Sequence, residues 1–244
     1  MRTLILVITC ALLAIATVPT LAATCCAVQT AATLAVAAPD NTLTAQEKAA
    51  GWKLLFDGKT FNGWECTSKT PGVWIIDQSA MFYTVKGGGY NYAKQTFGDF
   101  EFKTDFMVAK GTNSGIFFRW ANISDPVQTG FEMQVLDSAG KKEMSRHDCG
   151  ALYDALAPTE NTMKPALEWN TVDIKCVGSF ITITLNGKRV LTANLDRWTE
   201  SHKNPDGTRN KYNAPLKDWA RSGYIGFQAH GGKVWFKNVK VREL

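Results

Sequence analysis

Three stretches carry side chains that can do chemistry. Gly130-Phe131-Glu132-Met133-Gln134-Val135-Leu136-Asp137 alternates, which puts Phe131, Met133 and Val135 on one face of a strand and Glu132 and Gln134 on the other. An acid and an amide inside an apolar β pattern are costly unless they face water, a partner or a ligand. Asn113-Ser114-Gly115-Ile116-Phe117-Phe118-Arg119 reads as a second strand that closes on a charge. Gly226-Phe227-Gln228-Ala229-His230-Gly231 puts Gln228 and His230 on one face of a third. If these strands are neighbours, Arg119, Glu132, Gln134, Gln228 and His230 share one polar concavity, with Asp137 at its end. The competing reading makes them solvated outer-face residues of an ordinary sandwich, with Glu132 and Arg119 as a cross-strand ion pair.

The residue types narrow the chemistry. Glu132, Asp137 and His230 can move protons. A retaining glycosidase needs two carboxylates flanking the bond. Glu132 and Asp137 are an odd number of residues apart and face opposite ways on a regular strand, so a second acid would come from elsewhere, such as Glu168 or Asp173. Asp137 is also a candidate calcium ligand, although the usual Asp-rich loop is absent. No CxxC or Cys/His spacing suggests zinc, so the site is expected to need no cofactor beyond such a divalent cation. His147, beside Asp148, reads as a loop hydrogen bond, and His202 as solvated. Trp120, Trp169 and Trp235 can stack on sugars or fill a core.

The elements that must position these groups are strands. Phe100-Glu101-Phe102-Lys103-Thr104-Asp105-Phe106-Met107-Val108 is the clearest one-face-buried strand of the chain. Val73–Asp77 and Ala80–Val85 form a hairpin about Gln78-Ser79, and Asn186-Gly187 joins two more alternating runs. Lys86-Gly87-Gly88-Gly89 lacks the strand–helix context of a phosphate loop and reads as a turn. Ser138–Pro165 and Asp196–Arg221 are long irregular connections, the kind that are usually functional in a compact domain. Short strands, frequent turns and almost no helical periodicity predict an all-β sandwich of two antiparallel sheets with a concave groove suited to saccharides.

The ends of the chain set its context. Met1-Arg2 precedes the apolar run Leu4–Ala16 and small residues near Ala22-Ala23, so residues 1–23 are expected to be a signal peptide and the protein exported, to the periplasm or beyond. Thr24 stands where a lipidation site wants a smaller residue, which argues against attachment at Cys25. Residues 24–50 read as a leader or linker with a short helical tendency at Thr44–Ala50, leaving 51–244 as one domain. Cleavage removes only Arg2 among charges, taking the net charge from +5 to +4. The basic residues are scattered, which gives no support to a nucleic-acid partner, and no later run is long enough to span a membrane. Five cysteines would remain, an odd number that forbids complete pairing within the chain.

The motifs also form an ordered set: Asp57-Gly58-Lys59, Asn113–Arg119, Gly130–Asp137, Gly150-Ala151-Leu152-Tyr153, Glu168-Trp169-Asn170-Thr171, Leu185-Asn186-Gly187 and Gly226–Gly231. Together they resemble the 3-keto-disaccharide hydrolase family over roughly Gly51 to Leu244. The resemblance implies a concanavalin-like jelly roll. It also implies cleavage of glycosides whose sugar was first oxidised at C3 by a separate dehydrogenase. A C3 ketone acidifies the C2 proton; a base removes it, the enolate is held, the C1 substituent leaves and water adds back. On that reading His230 or Glu132 is the base, Arg119 or Tyr153 holds the oxyanion, and Glu132 or Asp137 serves the leaving group, with Gln134 and Gln228 binding substrate. Two departures stand out: Ala229 replaces the acid that the family often carries before His230, and the Asp196–Arg221 insert is long. They leave open a non-catalytic carbohydrate-binding or cell-surface interaction module of the same fold.

Overall fold

The structure, a computed structural model, describes residues 38–244; the expected signal peptide, Cys25 and Cys26 lie outside the described residues. A five-residue helix, α1 (Ala45–Ala49), opens it, capped by the Thr44 hydroxyl on the Glu47 N–H and the Glu47 carboxylate on the Thr44 N–H. Thirteen strands then follow among the described residues: β1 Lys53–Leu54, β2 Trp64–Cys66, β3 Trp74–Asp77, β4 Ala80–Tyr83, β5 Gly89–Phe97, β6 Phe100–Val108, β7 Asn113–Trp120, β8 Phe131–Leu136, β9 Asn170–Val177, β10 Phe180–Leu185, β11 Lys188–Asn194, β12 Gly223–Ala229 and β13 Val234–Glu243. One short helical turn, α2 (Pro126–Thr129), leads into β8.

The strands make two antiparallel sheets. The larger runs β11-β10-β9-β6-β13-β4-β3, with β1 also on β13; the smaller runs β2-β5-β12-β7-β8. β6 alternates as its sequence demands: Phe100, Phe102, Thr104, Phe106 and Val108 are buried and the residues between them are not. The sheets meet through aromatic rings. Phe227 of the smaller sheet stacks on Phe236 of the larger, centroids 3.9 Å apart, and Trp64 stacks on Phe227 at 5.4 Å. Asn186 and Gly187 both take positive φ in the β10–β11 hairpin, as an Asn-Gly turn requires.

β7 and β8 do not alternate in burial. Nearly every residue of both is buried, so something covers their outer face as well. Over β7 the side chains of Tyr90, Tyr92 and Tyr224 pack against Phe117 and Trp120, and beside β8 the 138–169 connection supplies cover. Gly150–Tyr153 runs along the open edge of β8: Gln134 N–H donates to Ala151 O at 3.0 Å, Gly150 N–H to Gln134 O at 3.0 Å and Tyr153 N–H to Glu132 O at 2.9 Å. Gly150 has φ +87°, and a β-carbon there would lie 3.3 Å from Val190, so the turn into this segment favours glycine on both counts.

One expectation needs correction. Residues 38–50 are not a linker in their described part. Asn41 and Asn238 exchange backbone-to-side-chain hydrogen bonds at 2.6 and 2.9 Å, and Lys240 pairs with Glu47, so this segment is docked on β13. Cys66, Cys149 and Cys176 are free thiols, the last two buried.

Candidate active site

Directly opposed residues of an antiparallel pair share a face. On the outer face of the smaller sheet Glu132 therefore stands beside Phe117, Gln134 beside Gly115, and Gln228 beside Tyr90. Four adjacent strands, β8, β7, β12 and β5, thus pave one surface. Farther along it Tyr92, Phe117 and Trp120 form a cluster with Tyr90 and Tyr224 packed against it.

Glu132 is 5% exposed and its carboxyl makes no hydrogen bond within the protein. Burial pushes its pKa up to about 8, opposed in part by the charge of Lys211. The other titratable groups that feel Glu132 are phenols. Tyr90, Tyr153 and Tyr212 are all raised, first by burial, with the Glu132 charge adding to each. Tyr212 is tied down, since its hydroxyl donates to the Tyr153 carbonyl oxygen. Gln228 lies against the Tyr90 hydroxyl and offsets part of its rise. Gln134 Nε2 donates to Asn113 Oδ1 at 3.2 Å, while its Oε1 is buried without a partner. A buried carboxyl and a buried amide oxygen, both without a protein partner on one face of the sheet, are what a polar ligand would complete.

The structure brings Glu132, Gln134, Gln228 and Tyr153 together. It turns Arg119 away. The β7–β12 register slips so that Tyr224 faces Trp120 while Gly226 faces Phe117, and Arg119 takes φ +48°. That bulge reverses the alternation: Trp120 joins the outer aromatic cluster and Arg119 is fully buried at the end of the sandwich. There its guanidinium pairs with Asp99 at 2.8 Å and donates to the carbonyls of Gly98 and Gly178 at 3.2 and 2.7 Å. Neither the expected oxyanion role nor an Arg119–Glu132 pair fits this placement. Asp137 is used locally, accepting the Gly111 N–H at 2.8 Å. His230 is exposed past the end of β12, and no hydrogen bond or ion pair ties it to Glu132. His147 bonds to Asp154 at 3.0 Å rather than to Asp148. Trp120 donates to Asn122 O, and Trp235 stacks on Phe82 in the other sheet.

The sequence is matched over residues 51–242 by the family model for the 3-keto-alpha-glucoside-1,2-lyase-like domain. The chain belongs to this family. A 3-keto-disaccharide hydrolase from Bacteroides thetaiotaomicron is 27% identical, covering 85% of this chain and 83% of its own. Two crystal structures of candidate glycosyl hydrolases from Parabacteroides distasonis superpose with TM-scores of 0.71 and 0.70 at 30% and 25% identity. They cover 79% and 84% of this chain, and 99% and 100% of their own. Membership of the 3-keto-alpha-glucoside-1,2-lyase-like family makes this a carbohydrate-active, hydrolase-like enzyme on a jelly-roll sandwich.

Within this family member the outer face of the smaller sheet can do acid–base work near neutral pH. A carboxyl whose pKa is pushed up to about 8 is present in both protonation states there. Among the described residues no three His, Cys, Asp or Glu side chains gather as a metal site would need. Sequence reasoning missed Tyr90, Lys211 and Tyr212. Tyr90 carried a signal, since it alternates with Tyr92 on a strand. Lys211 and Tyr212 carried none beyond the length of the Asp196–Arg221 insert.

Proposed function

We propose that this protein cleaves 3-keto-glycosides by elimination across C1–C2 followed by hydration, with Glu132 as the acid–base group. The observation that carries the reading is Glu132 itself: buried, free of hydrogen bonds and held near pKa 8 on the outer face of the sheet. The ionised carboxylate takes the C2 proton that the C3 ketone has acidified. The protonated form can then return it to the departing C1 oxygen, so one group serves both steps. The amides of Gln134 and Gln228 orient sugar hydroxyls. Tyr153, next to Glu132, supplies a phenol on the same side.

The substrate must come from an oxidation of a sugar at C3, so a sugar 3-dehydrogenase acts upstream. The apolar N-terminal run and Ala22-Ala23 support export, to the periplasm or the exterior. The test is release of a chromogenic alcohol from a 3-keto glucoside and from the unoxidised glucoside, each with and without chelator. Release from the keto substrate alone bears the reading out, and the chelator arm shows directly whether a divalent cation takes part. No release from either, with saccharide binding by calorimetry, would replace it with a binding module.

A further inference from the structure

The acid–base reading leaves one charged group beside Glu132 without a role. Lys211 belongs to the long insert, yet it is firmly placed. Its N–H donates to Asp154 Oδ2 at 2.8 Å, and Asp154 Oδ1 meets His147 Nε2 at 3.0 Å. The Asp154 N–H in turn donates to Arg146 O at 2.9 Å. Its ammonium lies 4.0 Å from the centre of the Tyr153 ring and 5.8 Å from that of Tyr212. The insert is thus pinned to the Ser138–Pro165 connection where both pass beside Glu132.

No carboxylate lies within 4.0 Å of this ammonium and it makes no hydrogen bond. Burial lowers the Lys211 pKa, opposed by the charges of Glu132 and Asp154. An unpaired, half-buried cation and an unpaired, buried carboxyl therefore both lie near Tyr153, each within reach of the other's charge, without closing on each other. Each is costly alone and is satisfied when a ligand turns a carbonyl oxygen to the ammonium and a hydroxyl or an acidic hydrogen to the carboxyl.

We infer that Lys211 is the catalytic cation that binds the C3 carbonyl oxygen of the keto sugar and holds its negative charge as the enolate forms. The inference rests on the elimination reading and deepens it. The Glu132 carboxylate takes the C2 proton, the C2–H pair forms C2=C3, and the C3 oxygen becomes the oxyanion facing Lys211. When the enolate collapses, C1=C2 forms, the C1–O bond breaks, and the leaving oxygen receives the proton from Glu132. The C3 carbonyl is restored, and neither Glu132 nor Lys211 changes its net protonation over the step.

The experiment compares wild type, Lys211→Met and Lys211→Arg on the 3-keto glucoside. Lys211→Met should lower kcat by about 10²–10³-fold, as for loss of one oxyanion donor. Because the lysine charge holds the Glu132 pKa down, the same change should move the limb of the kcat/KM profile that reports Glu132 to higher pH. Lys211→Arg should recover a good part of both. The unoxidised glucoside, which lacks the carbonyl, should bind wild type and Lys211→Met alike by calorimetry. An active wild type with Lys211→Met unchanged in kcat and pH profile overturns the inference alone. A wild type inert toward the keto glucoside overturns the elimination reading and the inference with it.

Discussion

Gly115 lies directly beneath the Glu132 carboxyl: a β-carbon at position 115 would sit 2.2 Å from Glu132 Oε1 and 2.9 Å from its Cδ. The acid does not rise from its own strand into solvent. It lies across β7 in space that only a missing side chain leaves open. Gly115→Ala should therefore push the carboxyl aside. The backbone at Gly115 is not in the left-handed region, but the new methyl would meet Glu132 as far back as its Cγ in a buried setting, so stability should fall by about 1–3 kcal/mol. Activity should fall about 10–100-fold, because displacement of about 1 Å at a reacting group is that costly. Parallel melting curves and kcat measurements separate the two effects.

Glu132→Gln should abolish turnover while making the protein more resistant to alkaline pH. The folded-state pKa, about 8, lies above the ordinary value of 4.5. The contribution of Glu132 to stability is then fully present below pH 4.5 and is lost as the pH rises toward 8. Each unit of that gap is worth about 1.4 kcal/mol. The difference between urea-denaturation free energies of wild type and variant should thus widen from pH 5 to 8 and level off above. A difference that stays flat would mean that Glu132 titrates normally.

Gln134→Met removes a buried carbonyl oxygen that has no partner together with one 3.2 Å hydrogen bond to Asn113. The two losses oppose each other, so stability should stay within about 1 kcal/mol. If the free oxygen serves a sugar hydroxyl, KM should rise about 10-fold with kcat nearly unchanged. Steady-state kinetics on the keto substrate decide it.

Arg119→Ala should behave in the opposite way. Its guanidinium holds Asp99 and the carbonyls of Gly98 and Gly178, joining the β5–β6 and β9–β10 turns. Removing it leaves those acceptors and a cavity, at a cost of about 2–4 kcal/mol. The KM of the remaining folded protein should match wild type. A raised KM with normal stability would return Arg119 to the substrate side.

Much of this architecture was legible in the chain. The alternation of Phe100–Val108, the Asn186-Gly187 turn and the placement of Glu132 and Gln134 opposite Met133 and Val135 all follow from the period of a strand. Arg119 did not, because a single bulged residue reverses every assignment beyond it, and nothing near Phe118 announces the bulge. Lys211 was hidden for a different reason. It reaches Tyr153 through an irregular segment, and irregular backbone has no period from which a side chain's direction can be read. Asn41 looked like part of a tether because its partner, Asn238, stands nearly the whole domain away in sequence.

The pairing of Gly150–Tyr153 with β8 has a consequence for how the molecule behaves among its own copies. β8 is the last strand of its sheet, and a bare terminal strand invites another chain to add on. Here the amide of Gln134 and the carbonyls of Glu132 and Gln134 that would do the inviting are already spoken for. The same three hydrogen bonds set Tyr153 beside Glu132. Solubility and reactivity are therefore anchored in one short stretch of main chain, and a lineage that loosened this loop to admit a larger sugar would expose itself to self-assembly at the same stroke.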